Sequence, residues 1–115
     1  MTRVTHTAVT HTARVAWDGA LAIVGAAHFD DLYGWLAPTL GDLLGAEALR
    51  AFAETRYLLR YSARPDAPHV EAGRWRARLE DLVDRDPALA APVRELAYET
   101  RLRLRELVPP LTLAS

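Results

Sequence analysis

The amino-acid sequence predicts an all-α domain, a bundle of four to five helices. Three observations carry that expectation. Apolar residues recur at three- and four-residue steps over residues 47–61, 70–84 and 92–108, the period of a helix with one buried face. Alanine, leucine and arginine, all good helix formers, dominate those stretches. Between them stand residues that stop helices: Pro38, Gly45, Pro65, Pro68, Asp86-Pro87 and Pro109-Pro110. A chain of 115 residues suffices for one core. Residues 13–108 are therefore expected to form a single domain, with a proline-rich linker at 63–68 and a tail at 109–115.

The elements follow in order. Val4-Thr5-His6-Thr7-Ala8 repeats as Val9-Thr10-His11-Thr12-Ala13 without a helical apolar period, so residues 1–12 are expected to be a disordered or extended arm. Residues 14–24 are expected to be helical, with a hairpin as the alternative. Alanine density favours a buried helix, whereas Asp18-Gly19 between β-branched flanks suits a hairpin turn, which would make the fold α+β. Asp30 is a candidate cap for a helix carrying Leu32, Tyr33, Trp35 and Leu36. Pro38 should interrupt that helix, leaving two short helices or one kinked helix before Gly45.

Residues 47–61 place Ala48, Phe52, Thr55 and Leu59 in one seam, with Arg56, Tyr57, Arg60 and Tyr61 outside it. Residues 70–84 put Ala72, Trp75, Leu79, Leu82 and Val83 on one face and Arg74, Arg76, Arg78, Glu80, Asp81 and Asp84 on the other. Asp86-Pro87 caps a short turn over 87–91, and the last helix is expected from Pro92.

Composition excludes several chemistries. Cys, Lys, Asn and Gln are absent, and all fourteen basic residues are Arg. Disulfides, thiolate nucleophiles, cysteine metal sites, Schiff-base lysines and the phosphate-loop lysine are thereby ruled out. Serine occurs only at Ser62 and Ser115, neither in a nucleophile-elbow pattern. A formal net charge of −1 supplies no global attraction to nucleic acid or anionic membranes. No apolar run reaches the length of a spanning helix, and no signal segment opens the chain. A cytoplasmic protein without cofactor or membrane contact is the expectation.

Trp75-Arg76-Ala77-Arg78-Leu79-Glu80-Asp81-Leu82, followed by Asp86-Pro87-Ala88-Leu89-Ala90 and a second helix, resembles the C-terminal half of small, uncharacterised actinobacterial helical proteins. Those carry a Trp-x-x-Arg-Leu-x-x-Leu helix, then Asp-Pro-Ala-Leu-Ala, after a Gly/Ala-rich start similar to Gly25-Ala26-Ala27. The match spans residues 75–96, with Pro92 where such proteins have a helix former. The resemblance implies an accessory or adaptor module of a bacterial defence or signalling system, with no catalytic residues to carry over.

The leading functional expectation is a non-enzymatic protein–protein interaction module, working as a homodimer or as an adaptor for another protein. Its contact surface is placed on the last two helices, with Val93, Ala97, Leu104 and Leu107 of the last one as contact residues and Leu102 standing outward among Glu95, Glu99 and Glu106. Three alternatives accompany it. Arg64-x-x-x-x-His69 resembles the Arg-x4-6-His signature of HEPN-type ribonucleases, which implies phosphate stabilisation by Arg64 and proton transfer by His69. Arg94, Tyr98, Arg101 and Arg105 align as a stripe suited to a phosphate backbone and a stacked base, although the acidic residues interleaved on this helix argue for a solvated face. His28, Asp30 and Asp31 offer metal ligands within four residues, against the plainer roles of loop residue and helix start.

Overall fold

The computed structural model describes residues 2–107, with side chains placed from Thr12 onward. It is an all-helical bundle: α1 (Thr2–Ala27), α2 (Asp30–Leu44), α3 (Ala46–Tyr61), α4 (Ala67–Arg85) and α5 (Ala90–Leu107), with one 3₁₀ turn at Pro87–Leu89. No strand occurs among the described residues.

The centre of the bundle is α1, which packs against all four other helices and most extensively against α4 and α5. Its composition makes this possible. Ala16, Ala20, Ala22, Ala26 and Ala27 are all buried, and such small side chains let neighbouring helices approach. At Gly19 the approach is closest: a Cβ there would lie 2.9 Å from Leu79 Cδ1 on α4 and 3.1 Å from Val93 Cγ1 on α5. Asp18-Gly19 is thus the contact point of three helices, and the hairpin alternative for residues 14–24 is overturned. Glycine serves there by its missing Cβ and not by its turn-forming freedom.

The arm expected at residues 1–12 is also corrected, because α1 runs back to Thr2. Threonine and valine are weak helix formers. Extending a helix already anchored by residues 13–27 nevertheless avoids the nucleation cost, and so the repeat continues α1.

Pro38 does not divide α2, which is one helix over Asp30–Leu44. Proline forfeits only the bond to the carbonyl four residues back, that of Gly34. Both Gly34 and Pro38 are exposed, so water can satisfy that carbonyl. Gly45, at φ 99°, is the one-residue joint between α2 and α3. Its N–H donates to the Gly41 carbonyl at 2.9 Å, and its own carbonyl accepts from Leu49 N at 3.2 Å.

The expected linker is shorter than 63–68, since Pro68 is the second residue of α4, where a missing donor costs nothing. Before the last helix, Asp86 Oδ1 accepts from Ala88 N at 3.2 Å. Pro92 then falls in the first turn of α5, two residues later than the helix start at Ala90. The core is contiguous: Ile23, Leu36, Leu40, Phe52, Trp75, Leu79 and Val93 are fully buried, with every helix contributing.

Candidate functional site

Two apolar stripes run along α2. Leu32, Leu36 and Leu40 form the buried one, and Trp35 and Leu43, partly buried, form a second beside it. Against this second stripe stands the start of α5, with Leu96 buried and Pro92 partly so. The two helices leave an open groove of about 470 Å³ between them, lined by Trp35, Leu36, Leu43, Pro92 and Leu96. Its volume is in the range of ligand and side-chain binding clefts.

Polar groups stand on both banks. Thr39 and Asp42 come from α2, Glu95 and Glu99 from α5, and all four are exposed. None of the three carboxylates takes part in an ion pair among the described residues. Glu99 and Arg103 have the favourable helical spacing, yet the Arg103 guanidinium instead covers the Trp35 ring, 4.1 Å from its centroid. The wall of the groove therefore already holds a cation on an aromatic face.

Two polar clusters elsewhere are tied up within the chain. Thr55 on α3 donates to Glu71 Oε1 at 2.7 Å and accepts from Trp75 Nε1 at 2.8 Å, so this buried set staples α3 to α4. At the α1–α2 corner, Asp30 pairs with both Arg56 and Arg60. Arg56 also lies over Tyr33, 4.4 Å from the ring centroid, and the corner bounds a cavity of about 200 Å³ with His28.

That corner disposes of the metal alternative. Phe29, not Asp30, is the cap residue of α2, and Asp30 is neutralised by two arginines. His28 and Asp31 are exposed, and no group of three His, Asp or Glu among the described residues could hold a metal ion.

The contact residues expected on α5 separate into two sets. Val93 and Ala97 are buried in the chain's own core, which corrects their assignment to an interface: their seam is the one that packs on α1. Leu104 is half-buried, and it lies so close to Gly25 that a Cβ there would come within 2.8 Å of Leu104 Cδ1. Leu102 and Leu107 are exposed. Arg94, Tyr98, Arg101 and Arg105 are all exposed along one edge, where Arg101 approaches Asp18 at 3.7 Å.

Arg64 and His69 are both exposed at the start of α4. Asp66 Oδ1 accepts from Arg64 Nε and Oδ2 from Nη2, each at 2.9 Å. Hydrogen bonding from that guanidinium holds the Asp66 carboxyl below the usual aspartate range, and the same pairing raises Arg64. The guanidinium fork is already occupied by a carboxylate.

Sequence reasoning missed the groove residues Trp35, Asp42, Leu43 and Pro92. Their signal was present as an apolar pattern on α2 wider than one core-facing stripe needs. No family model matches the chain, and neither a curated protein nor a solved structure matches it significantly.

Proposed function

We propose that this chain is a non-enzymatic interaction module, an adaptor that docks a segment of another protein in the groove between α2 and α5. One observation carries this reading: an open apolar groove, rimmed by carboxylates that form no ion pair among the described residues. Helix-in-groove recognition needs that combination of an apolar floor for anchors and polar banks for orientation. The docking surface proposed on α5 is its acidic edge, and it contains none of Val93, Ala97, Leu102, Leu104 and Leu107. We place the module in the cytoplasm, in keeping with its composition; no helix among the described residues is long and apolar enough to cross a membrane.

The nuclease alternative draws less support, because the guanidinium that would face a phosphate is engaged by Asp66. The nucleic-acid alternative retains one favourable feature, the exposed arginine edge with Tyr98.

A photoreactive phenylalanine analogue placed at Thr39, on the groove bank, tests the reading in the native cell. A discrete cross-linked protein adduct is expected there and not from the same analogue at Ala53, exposed on α3. Equal adducts at both positions, or none at Thr39, would refute docking in the groove.

A further inference from the structure

Resting on the docking proposal, we infer that the groove's occupant is a cationic amphipathic helix of a partner protein, with a bulky apolar anchor flanked by arginine or lysine.

The floor specifies the anchor. Trp35, Leu43 and Leu96 present carbon to a cleft of about 470 Å³, a space that favours one or two large apolar side chains over a flat contact. The walls favour a helix, because an apolar groove lined by two neighbouring helices, α2 and α5, can seat the side-chain ridge of a third.

The banks specify the sign of charge. Asp42 projects from one side, and Glu95 and Glu99, one helical turn apart, from the other. A helix lying along the floor passes between these carboxylates, so basic residues three or four positions on either side of its anchor reach them. An acidic or phosphorylated segment would meet like charge on both banks, which acts as a filter against wrong partners. The indole in the floor is already covered by Arg103, so the partner's basic residues are directed to the carboxylates and not to the aromatic face.

Charge complementarity thus selects the occupant, and amide-resolved NMR titration of the full chain tests it. Three synthetic peptides of ~18 residues, several turns of helix, serve as probes. One has a Leu/Trp stripe flanked by Arg, one the same stripe flanked by Glu, and one the Arg composition scrambled to destroy the stripe. Only the first is expected to shift groove amides saturably. Its affinity should fall at least about tenfold in the Glu95→Gln/Glu99→Gln double variant, as expected when charge-assisted contacts are removed. Both residues are exposed, so an unchanged melting curve will confirm that the fold is intact.

Equal binding of the Arg and Glu peptides at the groove would overturn the charge inference and leave the docking proposal standing. Absence of groove shifts with every peptide also overturns it, and the Thr39 cross-link then decides whether docking falls too. Shifts confined to the Arg94–Tyr98 edge would overturn it in favour of another surface. Self-association abolished by the carboxylate variants would do so by assigning the groove to a second copy of this chain.

Discussion

The same substitution, Thr→Val, should have opposite effects at the two fully buried threonines. Thr55 is 1% exposed and Thr100 0%, and both lie inside helices. Valine matches threonine in volume and nearly in helix propensity, so the difference isolates the hydroxyl. At Thr55 the hydroxyl satisfies both Trp75 Nε1 and Glu71 Oε1. Its loss orphans a buried donor and a buried carboxylate oxygen, each worth about 1–3 kcal/mol of desolvation, while the new methyl returns ~0.8 kcal/mol. Because the two orphans share one site, their costs do not fully add, and a net loss of about 2–4 kcal/mol is expected.

At Thr100 the hydroxyl oxygen is buried without a hydrogen-bond partner among the described residues. Valine there removes an uncompensated polar group, and stability should rise by about 1 kcal/mol. Thr55→Ser, which keeps both hydrogen bonds and deletes one methyl, should cost only ~1 kcal/mol. Urea unfolding followed by far-ultraviolet circular dichroism measures all three variants without relying on Trp75 as the reporter. Equal stabilities for Thr55→Val and Thr55→Ser would refute the reasoning. So would a destabilised Thr100→Val, since the hydroxyl would then have a partner.

Further outcomes follow from the backbone. Gly34 and Gly73 lie inside helices with nothing within 4 Å of a built Cβ, so Gly34→Ala and Gly73→Ala should each add about 0.5–1 kcal/mol in the same urea assay. Gly19→Ala should lose that gain or reverse it, since its Cβ meets Leu79 and Val93 at 3.1 Å or less. Pro38→Ala restores a donor for the Gly34 carbonyl and should raise the unfolding free energy by about 1–3 kcal/mol. Asp66, held low by Arg64, carries its stabilisation above the unfolded-state pKa and loses it as pH falls through the lowered folded value. Carboxyl NMR titration should show Asp66 titrating below ordinary aspartates, and Arg64→Ala should return it to their range.

Much of the fold was legible because helices declare themselves by period. The seam Ala48, Phe52, Thr55 and the face Ala72, Trp75, Leu79, Val83 are buried as their spacing required. What escaped was every feature that depends on a neighbour. Asp18-Gly19 has the chemistry of a turn, and only the proximity of Leu79 and Val93 makes it a packing contact. Pro38 carries its local penalty, but an exposed carbonyl at Gly34 makes that penalty bearable within one helix. Val93 and Ala97 have the apolar character of an interface, and periodicity cannot say whether a chain covers such a face with its own α1 or leaves it to a partner. The candidate groove is a property of the angle between α2 and α5, a quantity no single-helix pattern contains.

Net charge misleads in the same way. A value of −1 over the whole chain suggests a surface with no electrostatic preference, yet α5 divides its charges by face. Arg94, Arg101 and Arg105 follow one edge, while Glu95 and Glu99 follow the next and turn toward α2, where Arg103 lies over Trp35. Within a Debye length of about 8–10 Å, a ligand senses the edge it approaches and not the sum. The groove therefore gathers three carboxylates on a nearly neutral protein, with Arg103 the guanidinium over its indole. Binding of the proposed cationic helix in that groove should weaken with added salt even though the chain as a whole has almost no charge to screen.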